Sequence, residues 1–112
     1  MKVLLDSNVP RDLRAHLSHH ETFTAKNGVL LKACEDAGFD VLVTGDKTLQ
    51  YEQNLKNRKI AIVCLSAVSW AVIEPFVNAV VAAVDQTERG MVVRVECGLF
   101  SRKRKPQEPS LG

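Results

Sequence analysis

Five stretches of the chain carry the pattern of β-strands. Residues 2–5, 21–24, 40–44 and 59–65 are rich in apolar or β-branched residues, and the last of these is almost continuously apolar. A continuous apolar run is typical of a strand that is covered on both faces. Residues 91–96 alternate apolar and polar side chains, as an edge strand does. The sequence therefore predicts five short strands.

Helical patterns separate these strands. Residues 10–19 and 26–37 place apolar side chains on one helical face, and the polar residues 47–56 are predicted to hold a short exposed helix. A helix passing through Pro75 would lose a backbone hydrogen bond, so the last helix is predicted to begin near residue 74, with Pro75 in its first turn. Strands that alternate with helices predict an α/β fold with a mostly parallel five-stranded sheet.

Length and composition fit one folded domain. The chain has 112 residues, of which 46% are hydrophobic and 25% are charged, and one modest core is what this length allows. We expect the domain to cover residues 1–98 and a basic tail to cover residues 99–112. No apolar run approaches the roughly 18–20 residues that cross a bilayer, and Asp6 interrupts the first apolar stretch. A cytoplasmic protein without a membrane partner is therefore predicted.

The net charge is only +2, but the positive charges are unevenly distributed along the chain. Four consecutive cations lie in the tail before Pro106: Arg102, Lys103, Arg104 and Lys105. Such a run attracts nucleic-acid phosphates, but it also occurs in solubilising chain ends. Both interpretations stay open from the sequence.

Cysteine and histidine positions indicate structural roles. The three cysteines are an odd number without close spacing, which favours buried packing over a disulfide or metal role. Three histidines fall near the end of the first predicted helix, and solvated side chains are expected there. These residues are Cys34, Cys64, Cys97, His16, His19 and His20.

The strongest candidate for chemistry is a pair of aspartates. Asp6 ends the first predicted strand and Asp46 follows the third, and ligands of doubly wound sheets bind at the carboxyl ends of strands. Two neighbouring carboxylates suit Mg²⁺ or Mn²⁺, which prefer oxygen ligands. Asn8 and Asn27 could add neutral oxygens. Helix capping by Asp6 and Asp46 is the alternative that the local sequence leaves open.

Four sequence blocks occur in the order of a known family. They are Leu-Leu-Asp-Ser-Asn-Val-Pro at residues 4–10, Lys-Asn-Gly-Val-Leu-Leu at 26–31, the segment 37–47, and Tyr-Glu-Gln-Asn-Leu at 51–55. Together they resemble PIN-like domains related to VapC-type toxins, over about residues 1–80. The combination of blocks is more specific than any one of them.

The resemblance implies a PIN-like three-layer α/β/α sandwich in which acidic residues bind Mg²⁺ or Mn²⁺ for RNA hydrolysis. It assigns catalytic and metal-binding roles to Asp6 and Asp46. Lys47 and the tail cations are separately predicted to contact nucleic acid. One position that is commonly acidic in the family is Asn27 here, and Glu52 is the nearest acidic substitute. The connection at Ala25–Lys26 is also shorter than the family leads us to expect.

Three functions follow as hypotheses. The first is a metal-dependent ribonuclease of the toxin class, and the second is a non-catalytic PIN-like module that binds RNA or an antitoxin-like protein. The third is a phosphoacceptor receiver domain, although receivers usually carry adjacent acidic residues after the first strand. Family members are often dimers, and a homodimer surface is predicted at Trp70, Val72 and Phe76, for which core packing is the alternative.

Overall fold

A computed structural model describes residues 1–26, 31–46 and 58–98, and its strands form one sheet. The strands are β1 (Lys2–Leu5), β2 (Glu21–Thr24), β3 (Val41–Thr44), β4 (Ala61–Leu65) and β5 (Val92–Val95). Every neighbouring pair runs parallel, in the order β2-β1-β3-β4-β5. The predicted α/β fold with a parallel five-stranded sheet is therefore confirmed. The three-layer sandwich stays a prediction.

Helices lie between β1 and β2, between β2 and β3, and between β4 and β5. They are α1 (Leu13–His16), α2 (Leu31–Asp36), α3 (Trp70–Ile73) and α4 (Val77–Gln86), with a 3₁₀ turn at Glu74–Phe76 between the last two. Within the three described ranges, no helix combines the length and hydropathy needed to cross a membrane. The helix predicted over residues 47–56 lies outside these ranges.

Helix α1 is shorter than the predicted helix over residues 10–19. The side chain of Asp12 forms no capping hydrogen bond, and Leu17 leaves the helical conformation at φ −112° and ψ 22°. Leu13 and Leu17 are nevertheless fully buried. The prediction that these side chains face the core is therefore confirmed. The backbone, however, forms a single helical turn between non-helical turns.

The predicted helix start near residue 74 is wrong. The chain is already helical from Trp70, and it tightens into the 3₁₀ turn where Pro75 occurs. Pro75 lies at one of the first two positions of that turn, where its missing N–H has little cost. A change of helix type therefore lets the helical path continue past the proline.

The sheet has a buried apolar cluster on each face. Successive side chains of a strand point to opposite faces, so Val3 and Leu5 belong to one cluster and Leu4 to the other. Val80 and Val84 of α4 pack into the first cluster. Leu31 and Cys34 of α2 pack into the second.

The strand order creates a switch point between β1 and β3. From β1 the chain runs outward to β2 and then returns to the opposite side of β1 to form β3. The crevice at such a reversal, at the carboxyl ends of the strands, is where open α/β sheets bind ligands. Asp6 follows β1 at this edge and Asp46 lies two residues beyond β3.

Candidate functional site

Asp6 is a buried carboxylate whose orientation is fixed. Its side chain lies directly after β1, and the residue is only 6% exposed. Oδ1 accepts a hydrogen bond from the Ser7 backbone N–H at 2.7 Å, and Oδ2 accepts one from the Thr44 hydroxyl at 2.7 Å. The Asp6 backbone N–H donates to the Val43 carbonyl at 2.9 Å, which continues the pairing of β1 with β3. Both the carboxylate and the backbone N–H of Asp6 are therefore held by hydrogen bonds.

Thr44 joins Asp6 to Asp46. The Thr44 hydroxyl oxygen, which donates to Asp6, also accepts a hydrogen bond from the Asp46 backbone N–H at 3.0 Å. The Asp46 carbonyl accepts a hydrogen bond from the Cys64 thiol, with the sulfur 3.3 Å away. These contacts bring Asp6 and the backbone of Asp46 to one buried hydroxyl, as the sheet topology predicts.

Asn8 lies at the same edge. Its side-chain oxygen Oδ1 accepts a hydrogen bond from the Gly45 backbone N–H at 3.1 Å. A Cβ atom on Gly45 would collide with a methyl group of Val68. The missing side chain thus lets the end of β3 lie close to both Asn8 and Val68.

Several predicted site residues lie outside the described ranges. They are Asn27, Lys47, Glu52 and the tail residues Arg102, Lys103, Arg104 and Lys105. Their supporting or nucleic-acid-binding roles therefore stay predictions.

The oxygen atoms at this edge fit a hard divalent cation. Asp6 supplies a carboxylate and Asn8 an amide oxygen, and Asp46, whose backbone N–H reaches Thr44, would add a second carboxylate. These are the donor types that Mg²⁺ and Mn²⁺ prefer. Oδ2 of Asp6 accepts a single hydrogen bond, from Thr44, in the described part of the chain. An ionised carboxylate oxygen has a further lone pair, so Asp6 keeps the capacity to bind a cation.

A basic cavity of about 220 Å³ lies beside this edge. It is lined by Arg11, Arg14, Thr24, Ala25 and Lys26. Thr24 is paired with Leu5, the residue before Asp6, so the cavity lies next to the end of β1. Sequence reasoning missed it, although Arg11 and Arg14 are three residues apart in the helix predicted over residues 10–19, a spacing that places two side chains on one helical face.

Two histidines and an aspartate meet at the opposite, amino end of the sheet. Nε2 of His19 lies 2.9 Å from Oδ1 of Asp85, and Nε2 of His20 lies 2.6 Å from the same oxygen. Hydrogen bonds from His20 and then His19 lower the pKa of the Asp85 carboxyl. The expectation of solvated histidines is wrong for His20, whose side chain is 10% exposed. The sequence offered no signal that Asp85 would join this pair.

The three cysteines are free and buried, as the sequence predicts. Burial raises the pKa of the Cys34 thiol, and the negative charge of Asp6 raises it further. Burial is also the main cause that raises the pKa of Cys97. These thiols have the character of packing residues.

No family model, curated protein or solved structure matches this chain. Five expectations therefore stay predictions: the relationship to PIN-like domains, the ribonuclease activity, the Mg²⁺ or Mn²⁺ requirement, the RNA partner and the antitoxin partner.

Proposed function

We propose that this protein is a Mg²⁺- or Mn²⁺-dependent ribonuclease of the PIN-like class, with the Asp6 and Asp46 carboxylates as metal ligands. The observation that carries the proposal is the Thr44 hydroxyl, which donates to Asp6 and accepts from the Asp46 backbone. It supports the proposal because it connects the two aspartates at the switch point of the sheet, where α/β folds bind ligands.

The residues around Asp6 prepare it for this role. Hydrolysis adds a water oxygen to phosphorus and breaks one P–O ester bond, and a bound Mg²⁺ or Mn²⁺ supplies charge stabilisation and a lowered pKa of water. The Ser7 N–H and the Thr44 hydroxyl hold the carboxylate of Asp6 in place. Asn8 holds the backbone of Gly45, next to Asp46. A site whose side chains are already oriented loses little free energy in reorganising during the reaction.

The basic cavity supports a nucleic-acid substrate. Arg11, Arg14 and Lys26 line it beside the end of β1. Guanidinium groups bind phosphate through paired hydrogen bonds, and ammonium groups bind it as point charges. An RNA strand with one phosphate in this cavity would pass close to Asp6.

The alternative is a non-catalytic PIN-like module that binds RNA or an antitoxin-like protein. Asn27 favours the non-catalytic module. The resemblance leads us to expect an acidic residue at this position, and an asparagine there leaves the site with fewer anionic metal ligands. The same basic cavity would then serve binding alone. The two functions differ in whether RNA is cleaved after it is bound.

A receiver domain is less well supported. The strand order β2-β1-β3-β4-β5 also occurs in receivers, so the order does not separate the two classes. The residues after β1 do separate them, because Asp6 is followed by Ser7 and Asn8 rather than by a second acidic residue.

The decisive experiment is an RNA cleavage assay on the purified full chain. We expect cleavage of single-stranded RNA with Mn²⁺ or Mg²⁺, its loss when EDTA is added, and its loss in both Asp6→Asn and Asp46→Asn. Asp36→Asn is the matched control, since this aspartate is exposed on α2 and, among the residues that the structure describes, forms its ion pair with Lys32 at 3.6 Å. Folded protein that cleaves no RNA with either metal would overturn the ribonuclease proposal.

Metal binding provides a second measurement that does not depend on activity. Calorimetric titration with Mn²⁺ should show binding to the wild type and to Asp36→Asn, and weaker binding to Asp6→Asn and Asp46→Asn. RNA binding that is salt-sensitive but never followed by cleavage would instead support the non-catalytic module.

A further inference from the structure

The amino end of the sheet holds a second group of metal-ligand side chains. His19 and His20 lie directly before β2, and Asp85 lies at the end of α4, 65 residues further along the chain than His20. Each residue offers a ligand atom, and these atoms all lie within 4.8 Å of one another. The tertiary fold alone brings them together.

The donor types differ from those at the carboxyl edge. Two imidazole nitrogens and one carboxylate oxygen are typical ligands of Zn²⁺ and of neighbouring transition metals such as Ni²⁺. In a zinc site the ligands lie about 2.0–2.2 Å from the ion, so ligand atoms are roughly 3–4 Å apart. The distances of 2.9 Å and 2.6 Å from the imidazoles to Asp85 therefore need only small side-chain movements to admit an ion.

Exposure at the cluster leaves one side open to solvent. The side chains of His19 and Asp85 are 48% and 40% exposed, whereas that of His20 is 10% exposed. His20 is therefore the anchored ligand, and the other two can adjust.

Two imidazoles converge on one oxygen atom. The two rings lie with their centroids 4.1 Å apart, and both Nε2 atoms face Oδ1 of Asp85. One histidine would be enough for a hydrogen bond that ties α4 to β2. We propose that His19, His20 and Asp85 form a binding site for a divalent transition metal of the Zn²⁺ class, with water completing the coordination on the open side.

A bound ion would connect the end of α4 to the start of β2. These elements are distant in sequence, so the ion would stabilise the folded chain by binding to it and not to the unfolded chain. The cluster lies at the opposite end of the sheet from Asp6 and Asp46 and uses nitrogen ligands. The proposal is therefore independent of the proposed ribonuclease function.

Zinc titration by calorimetry tests the proposal on the folded full chain. We expect the wild type to bind one Zn²⁺ at the cluster, and His19→Gln and Asp85→Asn each to weaken that binding at least tenfold. His16→Gln is the matched control, because His16 belongs to α1 but contacts Trp70, with ring centroids 5.5 Å apart, and not Asp85. Its zinc affinity should equal that of the wild type.

Two further measurements make the result unambiguous. A protein with Asp6→Asn and Asp46→Asn combined should keep its Zn²⁺ affinity, which separates this site from the carboxyl edge. Circular dichroism should show His19→Gln to be folded, since the His19 side chain is largely exposed. Zinc affinity that is absent in the wild type, or unchanged in folded His19→Gln, would overturn the proposal.

Discussion

Thr44, the last residue of β3, donates a hydrogen bond from its hydroxyl to Oδ2 of Asp6 at 2.7 Å. The hydroxyl is fully buried with its residue, and it also accepts the Asp46 backbone N–H. Thr44 is thus both a core residue and the connection between the two candidate metal ligands. Its substitution should affect stability and the site together.

Thr44→Val keeps the shape of the side chain but removes the hydroxyl. We expect the free energy of unfolding to fall by roughly 2–3 kcal/mol, because a hydrogen bond to a charged group is lost and buried polar groups are left unpaired. Urea denaturation at neutral pH measures the change. Thr44→Ser is the control, since it keeps the hydroxyl and loses only a methyl group, worth about 1 kcal/mol. Equal stability of the two variants would contradict the role assigned to the hydroxyl.

Arg14→Ala should weaken RNA binding without changing metal affinity. Arg14 lines the basic cavity, and each lost phosphate contact should reduce the slope of log affinity against log salt by about 1. Fluorescence anisotropy over a series of salt concentrations measures that slope. Lys32→Ala is the control, because this exposed lysine lies on α2 and is paired with Asp36. Arg14→Ala and Lys32→Ala with the same slope would argue against a phosphate site in the cavity.

The ionisation of Glu35 should make the free energy of unfolding vary with pH in the acidic range. Burial opposes its ionisation, but the Lys59 backbone N–H at 2.6 Å and the Arg58 guanidinium at 3.0 Å outweigh that effect and lower its pKa. Its contribution is therefore present above the unfolded-state pKa of about 4.3 and is lost as the pH falls through the lower folded-state value.

Glu35→Gln tests this dependence by urea denaturation at several pH values. We expect Glu35→Gln to be less stable than the wild type at pH 7, by about 1 kcal/mol, since its partly exposed charge is screened by solvent. The difference should shrink as the pH falls below about 4. Asp36→Asn, on the same helix, should show little difference at any pH. A difference for Glu35→Gln that does not vary with pH would exclude the carboxylate as its cause.

The cysteines should react slowly with a thiol reagent in the native protein. Cys34, Cys64 and Cys97 are each no more than 3% exposed, and the thiolate is the reactive form. Because burial raises the pKa of Cys34 and Cys97, reaction at pH 7 should require opening of the structure. Absorbance with a disulfide reagent should show three thiols reacting rapidly in denaturant and slowly without it. Rapid native reaction of one thiol would place it at a mobile surface.

Local sequence signals predicted the ends of elements well where one residue decides the backbone. Gly38 directly follows the helix predicted over residues 26–37, a position where helices often end in glycine, and it has φ +85° there. The backbone N–H of Phe39 donates to the Cys34 carbonyl at 3.0 Å, which closes the helix end. A positive φ strongly favours glycine, so the signal was local and reliable.

Local signals failed where packing or a change of helix type decided the outcome. The spacing of Leu13 and Leu17 predicted a two-turn helix. Leu13 instead lies in a single helical turn and Leu17 in the segment after it, and both side chains are buried. Pro75 was expected to mark a helix start, yet a 3₁₀ turn carries the helical path past it. Spacing predicts which side chains face the core, and several backbone paths satisfy the same spacing.

The sequence by itself determined the α/β alternation, the buried strands and the placement of Asp6 and Asp46 after two of them. These follow from apolar runs and from the rule that parallel strands end at one edge. Only the tertiary structure decided that Thr44 joins the two aspartates, that Arg11, Arg14 and Lys26 line one cavity, and that Asp85 meets His19 and His20. The reason is physical: each contact joins segments that are distant in sequence, and hydrophobic periodicity does not record which segments lie side by side.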